Sequence, residues 1–135
     1  MKRRWTEEEI WSWYRDQPWI TGFNFIPSGA MDGAVWLLQE YDHAYAFQDA
    51  AKEIALAASL GFNSIRFFVP FYLWRVQHDS FMKNFEELLA LLDRYHMTMI
   101  PTLFNDCCVA KSKYKDPVLG PQPDPVPGYF GGTAV

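Results

Sequence analysis

Cysteine is scarce in this chain: among 135 residues only Cys107 and Cys108 occur, and they are adjacent. Neighbouring cysteines have a geometry that disfavours a disulfide between them, and two cysteines cannot build a disulfide framework. Long apolar runs are missing too, since no 18-residue apolar stretch occurs and none follows the basic residues at the start. These absences predict no membrane-spanning helix and no secretory signal, and they favour a cytoplasmic protein.

An excess of positive charge is also lacking. The formal net charge is -4, and the one basic cluster, at residues 2–4, is followed at once by Glu7, Glu8 and Glu9. Proteins that bind nucleic acids usually carry clustered lysine and arginine, so we expect no nucleic-acid partner and a neutral ligand instead. The three histidines are far apart and form no His-x-His pair, and we therefore expect no metal site.

What the chain has in quantity is apolar and aromatic side chains, which make up 50% and 18% of its residues. This composition predicts a substantial core and argues against a disordered chain. The length fits one ordinary domain but is well short of the ~250 residues of a complete eight-stranded barrel. The chain is therefore either a small complete fold or a piece of a larger one.

Apolar spacing predicts three helices and three strands. Thr6 and Glu9 have the form of a capping box, which indicates a short leading helix. Between the strands, apolar residues recur at helical spacing, and residues 27–42 are predicted to form a long aromatic loop. The predicted strands are 19–26, 64–70 and 97–104, and the predicted later helices are about 45–60 and 79–95.

These elements divide the chain into a leading helix at 1–18, three strands with two helices at 19–110, and a proline-rich loop at 111–135. The order β-α-β-α-β with short helix-to-strand turns predicts parallel strands. In such sheets ligands bind at the carboxyl ends of the strands. Each predicted strand carries polar residues near that end, namely Asn24, Arg66, Asn105 and Asp106.

A doubly wound nucleotide-binding sheet has the same order of elements. It needs a glycine-rich turn that leads directly from the first strand into a helix, so that backbone N–H groups can hold phosphates. Residues 27–33, PSGAMDG, have neither that spacing nor an immediate helix. The pattern therefore favours a barrel over the nucleotide fold, and we expect no cofactor.

Three segments resemble the amino-terminal part of cellulase-like glycoside hydrolases. They are GFNFIPS at 22–28, ASLGFNSIR at 58–66 and LFNDC at 103–107, and the proline-rich LGPQP at 119–123 is similar as well. This group belongs to clan A, the retaining barrel enzymes that include family 5, and relatives are often labelled endo-1,4-β-xylanase. The resemblance spans about 19–128 and implies a partial TIM (β/α)8 barrel, of which this chain holds the first three strands.

In that clan the acid/base and the nucleophile are glutamates at the ends of the fourth and seventh strands. A retaining mechanism needs both carboxyl groups, about 5–5.5 Å apart. The sequence stops before either strand, and its seven glutamates fall on predicted helices or in the first loop. The resemblance thus implies that the parent protein hydrolyses β-linked glycosides, that this chain holds no catalytic residue, and that the chain alone is inactive.

The same resemblance implies a role in substrate binding for several residues. Arg66 matches an arginine that hydrogen-bonds the nucleophile in relatives and lowers its pKa, although a structural ion pair inside the barrel is the other reading. Asn24 is predicted either to hydrogen-bond sugar hydroxyls or to end the first strand for local reasons. Two tryptophans, Trp36 and Trp74, are predicted to stack on pyranose rings, or else to cover the barrel mouth.

Asn105 and Asp106 come at the end of the third strand and are predicted to hydrogen-bond sugar hydroxyls, or else to end the strand for local reasons. Many clan members have a histidine near this point, whereas this chain has LFND at 103–106, and here it departs from the group. The sequence is also compatible with a second function, that of a non-catalytic carbohydrate-binding or structural remnant. Three parallel strands leave unpaired edges, so this reading requires the remaining barrel strands or another copy as a partner.

Overall fold

The computed structural model describes residues 3–30, 32–104 and 118–122 of the chain. It is an α/β fold, as predicted, with one sheet of three strands and five helices in the part described. The elements in chain order are α1 (Glu7–Arg15), β1 (Gly22–Phe25), α2 (Gly33–Leu38), α3 (His43–Ser59), β2 (Ser64–Phe68), α4 (Phe71–Val76), α5 (His78–Arg94) and β3 (Thr98–Thr102).

Helix α1 begins at the predicted capping box. The Thr6 hydroxyl accepts a hydrogen bond from the Glu9 N–H at 3.2 Å, and the Glu9 carboxylate accepts one from the Thr6 N–H at 2.7 Å. The two bonds satisfy N–H groups that have no partner inside the helix. No residue of α1 is buried, so its stability rests on these local bonds more than on packing against the sheet.

The three strands lie in the order β1-β2-β3, and both pairs are parallel, which confirms the predicted strand direction. Because side chains alternate along a strand, the register puts one set of residues on each face. Phe25, Ile65 and Phe67 are buried against the helices, whereas Asn24, Arg66 and Ile100 form an exposed row on the other side. We call this second side the open face.

Helices α3 and α5 cover the buried face of the sheet. Helix α3 contributes mainly small residues to the core, Ala46, Ala50 and Ala57 with Ile54. Helix α5 contributes larger ones, including Phe81 and three leucines. Each fully buried leucine or phenylalanine stabilises the fold by about 1.5–3 kcal/mol relative to an exposed one. The long helices therefore define the core and leave the open face uncovered by the described residues.

Two short helices were not predicted. Helix α2 lies in the stretch predicted as an aromatic loop, and all six of its residues are buried. Asp32 caps it by accepting from the Val35 N–H at 3.1 Å, and a side chain at Gly33 would overlap the carbonyl oxygen of Pro27. Helix α4 follows β2 directly after Pro70. Both are six residues long, which is too short for a helical period to emerge from the sequence.

A buried glutamine joins the proline-rich stretch to the rest of the fold. The side-chain amide of Gln39 donates to the Gly120 carbonyl at 2.8 Å and accepts from the Gly120 N–H at 2.8 Å. Gly120 has a φ of +94°, a conformation that favours glycine. Asn84, also buried, donates to the carbonyl groups of Leu38 and Gln39. Residues 118–122 are thereby held against the end of α2.

None of the described helices combines the length and the apolar character needed to cross a bilayer.

Candidate functional site

The open face brings two predicted site residues together. Asn24 on β1 and Arg66 on β2 are partners in the parallel register, and Ile100 on β3 is the next residue in the same row. A shallow depression of about 450 Å³ lies over this row, and Ile20 and Ser64 help to line it. The depression combines an exposed amide and guanidinium with three isoleucines, a mixture suited to a ligand with both hydroxyl groups and apolar surface.

Arg66 is held in place from two sides. Its Nε donates to the Thr102 hydroxyl on β3 at 3.1 Å, and its guanidinium carbon lies 4.6 Å from the centre of the Phe68 ring. A cation over an aromatic face is attracted by the ring electrons. Among the described residues no carboxylate pairs with Arg66. Thr102 and Phe68 were not predicted as site residues, although the strand period of two puts Phe68 on the same face as Arg66.

Ser64 has a polar group that is not satisfied. Its side chain is buried, and its hydroxyl has no hydrogen-bond partner among the described residues. Gly22 is its neighbour in the register, and a side chain at Gly22 would lie 2.9 Å from the Ser64 carbonyl oxygen. Buried hydroxyls without a partner are uncommon, because they lose their hydration without compensation. Ser64 lies among the residues that line the depression, but its hydroxyl oxygen is itself buried.

The other predicted site residues do not join this row within the described structure. Asn105 and Asp106 lie outside the described residues. Trp36 is only 7% exposed and packs edge-on to Tyr45, 6.3 Å between ring centres. Stacking of Trp36 on a sugar stays a prediction, and it would require the ring to become exposed. Trp74 lies on α4 and is 42% exposed.

Trp74 belongs to an aromatic groove, which is lined by five rings: Phe71, Trp74, Phe81, Phe85 and Phe104. Phe71 and Trp74 are stacked, with ring centres 5.4 Å apart and planes at 23°. The groove lies beside the carboxyl ends of β2 and β3, since Val69 and Leu103 also line it. The sequence did not predict this cluster, because its members come from three separate stretches of the chain.

A polar cluster on the opposite, helix-covered side is structural in character. The two ring nitrogens of His43 lie 2.7 Å from the Leu37 carbonyl and 2.9 Å from the Glu87 carboxylate. Nearby, Ser80 donates to Glu40 at 2.5 Å. These contacts connect the start of α3 and the loop before it to α5. The described residues contain no group of three or more acidic, histidine or cysteine side chains that could hold a metal ion.

The described glutamates all lie away from the strand ends. Glu7, Glu8 and Glu9 are on α1, Glu53 is on α3, and Glu86 and Glu87 are on α5, while Glu40 follows α2. The open face therefore has no glutamate that could act as acid or nucleophile within the described residues. The arrangement can bind and orient a ligand, but it offers no pair of carboxylates for glycoside cleavage.

The connection after β1 also bears on phosphate binding. Asp32 caps α2, and burial raises the pKa of this carboxyl, against the lowering effect of its hydrogen bond from the Val35 N–H. A phosphate site would present free N–H groups at a helix start, whereas this chain has the carboxyl group of Asp32 there.

Comparison with protein-family models, with curated proteins and with solved structures finds no match.

Proposed function

We propose that this chain forms the first three strand-and-helix units of a (β/α)8-barrel glycoside hydrolase and supplies one side of its saccharide cleft. The observation that carries the proposal is the row of Asn24 and Arg66 on the open face. In a barrel the strands enclose an interior face and the helices form an outer ring. A sheet in sequential order with α3 and α5 on one face only is compatible with that arrangement.

The chemistry of the row supports a saccharide ligand. Asn24 offers two N–H donors and one acceptor, and Arg66 offers several donors in a fixed plane. Sugar hydroxyls both donate and accept, so they can use all of these groups. The capped start of α2 counts against the nucleotide-binding alternative, since Asp32 occupies the position where a phosphate would need free N–H groups.

Isothermal titration calorimetry of the full chain with xylohexaose and with cellohexaose tests the binding role. Arg66→Ala is expected to weaken binding by about 10- to 100-fold, because charge-assisted hydrogen bonds contribute about 1.5–3 kcal/mol. Arg94→Ala, at the exposed end of α5, is the matched control and should bind like the unchanged chain. Absence of binding to both sugars, or equal binding by the Arg66→Ala variant, would contradict the proposal.

The enzyme assignment has a separate test, which uses the gene. A glycoside hydrolase of this kind requires an Asn-Glu-Pro-like sequence on a fourth strand and a second strand-ending glutamate further on. We expect the reading frame to encode both after residue 135. A frame without them would remove the assignment of the parent protein as an enzyme, while leaving saccharide binding by the open face as an independent question.

The second candidate, a non-catalytic sugar-binding or structural remnant that needs a partner chain, is favoured by one observation. Large apolar side chains stay exposed on α1 and at the β3 edge, among them Trp11, Trp13 and Ile100. Surfaces of this kind normally face a partner. Sedimentation velocity decides this point: a monomer at all concentrations would remove the need for a partner, and self-association would support it.

A further inference from the structure

Helix α1 carries an apolar row that no described residue covers. Ile10, Trp11 and Tyr14 lie on one side of the helix, because residues three and four positions apart share a face. They are 48%, 51% and 62% exposed, and the rings of Trp11 and Tyr14 meet edge to face with centres 5.7 Å apart. A second aromatic pair, Trp5 and Trp13, has ring centres 6.1 Å apart and is also about half exposed. Apolar surface of this kind marks a contact with a partner.

Charges of opposite sign stand beside this row at the two ends of the helix. Glu7 and Glu8 are in the first turn of α1, and Arg15 is in the last. Glu8 and Arg15 are separated by about two helical turns, so they lie on the same flank of the row. Both are exposed, and neither forms an ion pair with another described residue, whereas Glu9 is already bound by Arg3. One flank of α1 therefore begins with an unpaired acid and ends with an unpaired base.

The apolar area on this segment is sufficient for a weak interface. Aromatic side chains bury about 150–250 Å² each, so Ile10 and the four aromatic residues offer at most roughly 650 Å² per copy at their present exposure. Stable interfaces bury about 800 Å² per partner, and weak ones bury less than about 1,200 Å² in total. The area therefore predicts a reversible contact that forms at high protein concentration.

We infer that α1 pairs with α1 of a second copy of this chain, with the two helices antiparallel and Trp11 near the two-fold axis. Residues 8 and 15 are equally far from the middle of the row, so this pairing puts Glu8 of each chain opposite the partner subunit's Arg15. A two-fold axis forms this ion pair twice, once on each side of the contact. A parallel pair would instead bring like charges together. Antiparallel helix dipoles favour the same arrangement.

This dimer goes beyond the proposed function. No residue of the open face takes part in the contact, so saccharide binding and pairing through α1 are independent of one another. The contact also leaves both edges of the sheet uncovered, and it is therefore distinct from the pairing that further barrel strands would provide.

Sedimentation velocity of the full chain and of charge variants tests the pairing. Glu8→Arg and Arg15→Glu, each alone, are expected to raise the dimer Kd by at least about 5-fold, because both symmetric ion pairs become repulsive. An equimolar mixture of the two variants should associate about as tightly as the unchanged chain, because each charge then faces an opposite one. Trp11→Ala should raise the Kd by at least about 10-fold, since it removes the ring at the centre of the contact.

Two controls make the same kinds of change on other helices. Glu86→Arg reverses an exposed charge on α5, and Leu56→Ala removes an exposed apolar side chain on α3. Both should leave the Kd of the dimer unchanged. Loss of the dimer in Trp11→Ala with unchanged xylohexaose binding is the expected pattern. A dimer that forms in a chain unable to bind sugar would contradict the proposed function and support the inference.

Four results would overturn the inference. The first is a monomer at all concentrations, and the second is a mixture of the charge variants that associates no more tightly than either variant alone. The third is a dimer that keeps its Kd in Trp11→Ala, which would assign the association to another surface such as the outer edge of β3. The fourth is binding of the chain to phosphatidylcholine vesicles that depends on Trp11 and occurs without dimerisation.

Discussion

Gln39 is the residue on which the position of the proline-rich stretch depends. It is fully buried, and both of its amide atoms bind the backbone of Gly120, 81 residues away in the sequence. A buried amide of this kind is stabilising only while both partners are present, because each unpaired polar group costs about 1–3 kcal/mol. Nothing in the local sequence around Gln39 indicates this contact. Gln39 directly follows α2, a short apolar helix that the sequence itself did not predict.

Replacement of Gln39 by alanine should therefore lower the free energy of unfolding by about 2–4 kcal/mol. The change leaves the N–H of Gly120 without its partner, leaves its carbonyl with only the Gln122 amide at 3.3 Å, and opens a small cavity. Urea denaturation followed by circular dichroism measures the effect. Gln48→Ala, on the exposed side of α3, is the matched control and should change stability by less than about 0.5 kcal/mol. Equal effects of the two variants would contradict the anchoring role of Gln39.

Glu9 provides a prediction about pH. The hydrogen bonds from the Arg3 guanidinium, and then those from Thr6, lower the pKa of Glu9 to about 2. A lowered carboxyl pKa means that the charged form stabilises the folded state. Its contribution to α1 is therefore complete above the usual glutamate range and is lost as pH falls from about 4.5 towards 2.

The measurement is an NMR titration of the Glu9 side-chain carboxyl carbon. We expect a titration midpoint near pH 2 in the unchanged chain and a higher midpoint in Arg3→Ala. The helical amide signals of α1 should be partly lost over the same pH range. A midpoint that is ordinary for glutamate in both proteins would show that the Arg3 and Thr6 contacts are not formed in solution.

At the scale of elements, length decided which predictions succeeded. Helices α3 and α5 have 17 residues each, and their apolar period was sufficient to predict them within a few residues. The six-residue helices α2 and α4 were not predicted. Helix α2 is apolar on all sides and so shows no helical period, and α4 follows Pro70 directly, at the end of the second strand. Their formation depends on tertiary contacts, such as the close approach of Gly33 to the Pro27 backbone, which a single sequence does not reveal.

No strand among the described residues pairs with the outer edge of β3, and a proline alters this edge. The Thr98 N–H and the Thr102 carbonyl both bond towards β2, so the backbone groups of Met99 and Pro101 point to the other side. Proline has no N–H, and at this position it removes a donor from the unpaired edge. Loss of an edge donor discourages pairing with another chain. It also means that a fourth barrel strand would lack one bond opposite Pro101.

Pro101→Thr should restore this donor and increase self-association of the chain. Sedimentation velocity over a wide concentration range measures the effect, and the weight-average sedimentation coefficient should rise at lower concentration than in the unchanged chain. Pro18→Thr, in the exposed segment before β1, is the control and should leave association unchanged. A Pro101→Thr variant that associates no more strongly than the control would show that edge pairing does not govern association.

At the scale of the whole molecule, the sheet separates a structural side from a candidate binding side. The parallel order and the polar row could be predicted from strand patterns, and Asn24 and Arg66 are indeed neighbours. The sequence did not predict the hydrogen bond from Arg66 to Thr102, because it depends on the strand register. It did not predict the groove around Trp74 either, because side chains from distant stretches of the chain meet there. The barrel, the enzyme and the sugar stay proposals that depend on what the open face binds.

NMR of the isotope-labelled chain with added xylohexaose or cellohexaose tests this central claim most directly. We predict that the signals of the Asn24 side-chain amide and the Arg66 Nε–H shift with increasing sugar, together with backbone amides of β2 and β3. Signals of the helix-covered side, for example those of Ala50 and Leu88, should stay unchanged. Shifts confined to the helix-covered side, or no shift with either sugar, would contradict the account.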